Sequence, residues 1–141
     1  VLVVVLDTNI IVSGTIQKAG HSAAILDAWR DGQFLLIVSE ALLEEVRDVL
    51  HRSHIKKKYR LADEEIEKVL DDLRRYSKEV PGKLEVHIIQ EDPEDNFLIS
   101  AALEEEADYI ISGNPHLKNL KEYKGIKIIS PAEFVKILKE I

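Results

Sequence analysis

The chain has 141 residues, 26 acidic against 19 basic, and a formal net charge of −7. That length fits one domain with a sizeable core, and 45% apolar with 32% charged residues exclude a disordered chain. The absence of Cys excludes disulfides and thiolate metal sites and points to a cytoplasmic setting, and no apolar run nears the roughly 20 residues of a membrane helix.

Residues 2–6, LVVVL, are a continuous branched apolar run and predict a buried strand. Asp7-Thr8-Asn9 follows at once. Residues 21–30 have helical spacing through Ala24, Ile25, Ala28 and Trp29, and Gly32 closes the segment. Residues 34–38, FLLIV, predict a second buried strand, after which Ser39 caps a helix to about His51. Residues 63–76 predict an amphipathic helix with Ile66, Val69, Leu70 and Leu73 on its apolar face. Pro81-Gly82 breaks the chain.

Residues 85–89, EVHII, predict a third strand, and Asp92-Pro93 the cap and first position of a helix to about Glu106. Residues 108–112, DYIIS, predict a fourth strand, with a turn at Gly113-Asn114-Pro115. Residues 126–129, IKII, predict a fifth. Ser130 to Glu133 spells a capping box that opens the last helix. Strands alternate with helices, so the class is α/β with a mostly parallel sheet, and residues 1–141 read as a single domain. The opening VLVVVL lacks the basic lead-in of a signal peptide, and with no Met the chain is expected to lack its own start. Scarce Gln beside abundant Glu, Lys and Ile suggests a thermophile.

In open α/β sheets the ligand site lies at the carboxyl ends of the strands. Asp7 follows the first predicted strand, Asp92 and Asp95 the third, and Asn114 the fourth. The helix after the second strand carries Glu44 and Glu45. At ~100° per residue Glu45 falls at the edge of the apolar stripe of Leu42, Val46, Val49 and Leu50, while Glu44 points away with Glu40, Arg47 and Asp48. Asp95 likewise edges the stripe of Phe97, Leu98, Ala101 and Ala102. Clustered carboxylates repel one another unless a cation neutralises them, and oxygen donors suit Mg²⁺ or Mn²⁺. Asp7, Glu45, Asp95 and Asp92 are the candidate metal ligands, Asp7, Glu45, Asp95 and Asn114 the candidate catalytic set. Thr8, Asn9 and Ser112 are placed to orient ligands or waters. Each also has a bland reading: Asp7 and Asp92 as caps, Asp95 as a first-turn acid, Asn114 as turn chemistry.

The densest basic stretch runs from His51 to Arg60, with Arg52, Lys56, Lys57 and Lys58. It reads either as a phosphate-tracking edge that binds substrate or as a solvated helix end. Lys118, Lys121, Lys124 and Lys127 form a second, thinner strip.

LDTNIIVSG, SEALLEEVRDVL, DPEDNFLISAALEEEADYIISGN and IISPAEF, in that order and spacing, resemble the PIN-domain family over essentially the whole chain. The arrangement looks closest to prokaryotic PIN proteins proposed as toxins of toxin–antitoxin pairs. The resemblance implies a three-layer α/β/α fold around a central five-stranded parallel sheet. It also implies a Mg²⁺- or Mn²⁺-dependent ribonuclease acting on single-stranded RNA, an antitoxin protein as partner, and a homodimer. It carries the family's acids onto Asp7, Glu45 and Asp95. The fourth family acid, usually in a Thr-Gly-Asp-like turn, falls on Asn114 within Ser112-Gly113-Asn114, where an amide oxygen replaces a charge. That departure motivates the other reading, a non-catalytic RNA-binding or partner-binding module that keeps the fold. Phosphoacceptor receiver domains share the size and alternation, but here the fifth strand ends in Ser130-Pro131 rather than Lys-Pro, and Glu45 would be unexplained.

Overall fold

A computed structural model describes residues 1–82 and 93–141, with the backbone alone at 93–95. The elements in chain order are β1 (Leu2–Leu6), α1 (Thr8–Ile16), α2 (His21–Arg30), β2 (Phe34–Ser39), α3 (Glu40–Leu50), α4 (Ser53–Tyr59), α5 (Asp63–Tyr76) and β3 (Lys78–Val80). They continue as α6 (Pro93–Glu104), β4 (Tyr109–Ile111), α7 (Pro115–Lys118), β5 (Glu122–Tyr123), β6 (Ile126–Ile129) and α8 (Pro131–Glu140).

Among the described residues the sheet has six strands in the order β3-β2-β1-β4-β6-β5. Five run parallel, and β5 pairs antiparallel with β6. The expected strand at 85–89 lies outside the described residues; the fifth parallel strand is Lys78–Val80, too short to have been legible as a pattern. β5 joins β6 through Lys124-Gly125, both at positive φ (50° and 85°), the signature of a type I′ hairpin turn.

β1 is wholly aliphatic, and Val4, Val5 and Leu6 are fully buried at the centre of the sheet. The chain crosses from β1 through β2 to β3 in one direction and from β3 back to β4 and β6 in the other. Right-handed crossovers therefore place α1–α5 on one face and α6 on the other, a three-layer α/β/α arrangement. On α8, Phe134 is fully buried, edge-on to Phe34 at 5.2 Å and tilted against Tyr109 at 6.1 Å.

α1 is the largest departure from the sequence reading, which weighed Asp7 as a cap but drew no helix after it. Its sequence TNIIVSGTI is rich in β-branched residues, and Thr8, Ile10, Ile11, Val12 and Gly14 are all buried. A helix buried on most sides has no polar face to produce a 3.6 period, and packing outweighs its poor propensity. Gly14 lets α1 approach α2 closely: a Cβ there would stand 2.6 Å from Leu26 Cδ1 and 2.8 Å from the Ser22 carbonyl. The basic stretch gains a secondary structure. It forms a helix of its own, α4, which the sequence reading did not separate from the helix before it; Arg60 ends it in the left-handed conformation at φ 52°.

Candidate functional site

Strand register brings four polar residues to one level. Val5 pairs with Ile37, so Asp7 stands level with Ser39 on the next strand. Leu6 pairs with Ile111 and Ile111 with Ile129, so the same level continues through Ser112 to Ser130. The ladder persists to this rim, where Asp7 N–H donates to the Ile111 carbonyl and Ser112 N–H to the Ile129 carbonyl, both at 3.0 Å. Adjacent strands are ~4.8 Å apart, so the row spans about 15 Å.

The chain turns opposite ways on either side of β1 and β4. The crevice between them is the topological switch point where ligands of such sheets bind. Asp7 and Ser112 stand at its two lips. The Ser112 hydroxyl, fully buried, donates to Asp7 Oδ2 at 2.7 Å and accepts from Asn114 N–H at 3.0 Å. Asp7 Oδ1 accepts from Asn9 N–H at 3.3 Å, which also caps α1. The cap reading of Asp7 and its site reading therefore both describe the same carboxylate. Its residue is only 8% exposed. A carboxylate buried to this degree is retained where its charge has a use or a partner.

The remaining candidates take different places. Thr8 is buried and Asn9 exposed in the first turn of α1. Glu45 is half-buried and Glu44 exposed on α3, which packs against α1 and is capped by Ser39 Oγ accepting from Leu42 N–H at 3.3 Å. Asp92 and the Asp95 side chain lie outside the described residues; Asp95 belongs to the first turn of α6. Among the described residues no three His, Cys, Asp or Glu side chains come together. Asn114 caps α7, its Oδ1 accepting from His116 N–H at 2.9 Å. Its backbone N–H thus fixes Ser112 while its side chain secures the helix that follows.

The sequence reading missed Ser39 and Ser130 as members of the rim row, because it saw them only as helix caps. Cross-strand level is not written in any one strand. The α4 residues sit elsewhere: α3 carries the chain about 16 Å from Ser39 before α4 begins. There Lys56 Nζ meets Asp63 Oδ1 at 2.5 Å, a contact that holds the Asp63 carboxyl below its usual pKa. Lys58 lies over the Tyr59 ring at 5.4 Å; Arg52 and Lys57 are exposed.

The donors along the rim row are all oxygens, with no nitrogen or sulfur ligand among them. That chemistry fits a hard divalent cation such as Mg²⁺ or Mn²⁺ rather than zinc or copper.

An open α/β domain with a buried carboxylate at its switch point defines the class, and comparison with known proteins narrows it. The family model described as PIN domain matches residues 3–116, and the chain belongs to that family. PIN domains are, as a class, metal-dependent nucleases, so at the level of its family the chain is a nuclease-type hydrolase. The fold is similar to a solved structure of VapBC2 from Rickettsia felis bound to a DNA fragment from their promoter. The TM-score is 0.59 at 14% identity, over 92% of this chain and 98% of the other. No curated protein sequence matches the chain. Among the described residues no helix is long and apolar enough to cross a membrane.

Proposed function

We propose that the protein is a Mg²⁺- or Mn²⁺-dependent endoribonuclease that hydrolyses single-stranded RNA in the cytoplasm. The observation that carries this reading is Asp7, nearly buried at the switch-point crevice and oriented by the Ser112 hydroxyl at 2.7 Å. Asp7, Glu45 and Asp95 would hold the ion, with Asp92 and Asn114 completing the ligand set. A bound divalent cation would lower the pKa of a water and neutralise charge developing on the phosphodiester. Ser112 and Asn9 both donate to Asp7 and orient its carboxylate before the site loads. Glu45, on α3 beside α1, is the carboxylate we assign to accept a proton from the attacking water. The likeness to VapBC2 supports a role as the toxin of a toxin–antitoxin pair, with an antitoxin protein as partner. The family resemblance supports a homodimer.

The test is cleavage of a mixed-sequence fluorescent single-stranded RNA by wild type with Mn²⁺, wild type with EDTA, and Asp7→Asn. Cleavage by the metal-loaded wild type alone is expected. Equal cleavage by the variant would refute the assignment of Asp7.

One observation favours a second reading. The amide oxygen at the fourth family acid position, Asn114, is engaged in capping α7. A site short of that acid fits a binding module that keeps the fold without cutting. RNA binding that ignores EDTA, with no cleavage, would select it.

A further inference from the structure

We propose that a lysine-lined groove beside β6 tracks the phosphate backbone of single-stranded RNA as it leaves the rim site, an inference that rests on the nuclease reading above. The chain segregates its charge. Between residues 115 and 139 it carries six lysines against two glutamates, within a protein of net −7. The fold gathers part of this excess around a groove of about 480 Å³, where Lys118, Lys121 and Lys127 surround a floor of Ile128 and Ile129. Glu122 and Glu133 also border it. Glu133 is engaged in the cap of α8, exchanging hydrogen bonds with Ser130 at 3.2 Å, and its carboxyl is held below its usual pKa first by the Ser130 backbone N–H, then by the Ser130 side chain, and also by Lys118 and Lys136.

Position ties the groove to the site. Ile129 in its floor accepts the backbone hydrogen bond of Ser112, whose hydroxyl holds Asp7. Lys118 ends α7, the helix capped by Asn114. Ser130 is two strand spacings, ~10 Å, from Asp7 along the rim row. A strand lying across the row from the crevice would run directly into the lysines.

The two basic regions differ in where the fold sets them. On α4, Lys56 is paired with Asp63 while Arg52, Lys57 and Lys58 make no salt bridge among the described residues, and the helix lies a full length of α3 away from Ser39. Among the described residues Lys118, Lys121 and Lys127 make no salt bridge. Lys121 and Lys127 can therefore release a counterion and meet a phosphate without first breaking a pair, while Lys118 already acts on the Glu133 carboxylate. The thinner strip in sequence is the one the fold sets beside the rim row.

The experiment compares full-length wild type, Lys121→Gln/Lys127→Gln and, on α4, Lys57→Gln/Lys58→Gln. Binding of a fluorescent single-stranded RNA is titrated in EDTA across a salt series, and cleavage of the same RNA is timed in Mn²⁺. The groove variant is expected to bind about tenfold more weakly, with a salt slope shallower by ~1.4 because two phosphates are no longer neutralised. Its KM should rise while kcat stays near wild type, and the α4 variant should match wild type. Unchanged affinity and slope in the groove variant, or a larger loss in the α4 variant, overturns the proposal while leaving the nuclease reading intact. Absence of metal-dependent cleavage by wild type removes the nuclease reading instead. Loss of binding to an acidic peptide, with RNA binding unchanged, would give the groove to a protein partner and also overturn it.

Discussion

The two ends of the sheet are built from opposite materials. At the carboxyl end, four strands finish in Ser39, Asp7, Ser112 and Ser130, three of these buried, around a narrow crevice. At the amino end lies a cavity of about 530 Å³, walled by Trp29, Phe34, Leu35 and Tyr76. Its charged neighbours are already matched, Arg30 with Asp27 at 3.5 Å and Lys68 with Asp72 at 3.4 Å. Room alone does not locate chemistry here. The roomy end presents carbon and satisfied ions, whereas the rim holds a carboxylate that folding keeps nearly out of water. Changes at the rim should therefore cost activity, and changes at the cavity should cost stability.

The largest effect that would break this contrast is at Asp7. Asn in its place keeps an oxygen for the Asn9 N–H cap, so stability should move by no more than about 0.5 kcal/mol. Metal-dependent cleavage should fall at least ~10³-fold, since the charge that holds the cation is gone. A thermal melt beside a cleavage assay checks both. A variant that unfolds while the folded fraction still cuts would invert the contrast.

Trp29→Ala probes the other end. The indole is buried at the cavity wall, and its Nε1–H donates to the Tyr76 carbonyl at 3.2 Å. Truncation should cost about 3–5 kcal/mol in denaturant unfolding, and cleavage per folded molecule should stay within twofold. A large fall in kcat with little loss of stability would mean that the cavity belongs to the active machinery.

How far this contrast was legible in the sequence depends on which residues carry it. β1 and Asp7 were legible because five aliphatic residues running into an Asp leave only one sensible placement for that Asp. Ser39 and the Ser130–Glu133 box were legible as caps because capping is local. α1 was not, because a helix buried on most sides loses the alternation that marks helices. β3 and β5, of three and two residues, are below the length at which any period can be counted. The rim row was hidden for a different reason: register is a property of strand pairs, and no single strand contains it. The basic stretches were legible by density and not by placement. Lys56 is matched by Asp63 seven positions on, which spacing alone did not reveal, while the sparser lysines after residue 115 were gathered by a hairpin and a short helix.

Ser112→Ala sharpens the contrast at intermediate scale. The hydroxyl relays from Asn114 N–H to Asp7 Oδ2, so its loss removes a donor that orients the carboxylate. Apparent Mn²⁺ affinity or kcat should fall 10–100-fold, the usual effect of removing a group that orients a metal ligand. Ser112→Thr should recover part of the activity, since it restores the donor. A titration of cleavage rate against Mn²⁺ separates weaker metal binding from slower chemistry. An Ala variant with wild-type Mn²⁺ dependence would show that Asp7 needs no support.

The smallest effect lies at the end of the rim row, where Glu133 closes the capping box of α8. Its carboxyl is held below the ordinary value of 4.5, first by the Ser130 backbone N–H and then by the Ser130 hydroxyl. A depressed pKa in the folded state stabilises the protein above the unfolded value, and that contribution drains away as pH falls through the folded one. Glu133→Gln keeps a neutral acceptor for Ser130 N–H but removes the charge, and the side chain is exposed, so the loss at pH 7 should be below about 0.5 kcal/mol. The difference between wild type and variant should be constant from pH 7 down to about pH 5, then shrink through the range below 4.5. Melts at matched ionic strength would read it. A difference that instead grew on acidification would mean that the charge at Glu133 opposes the fold, with the nearby lysines of the groove failing to offset it.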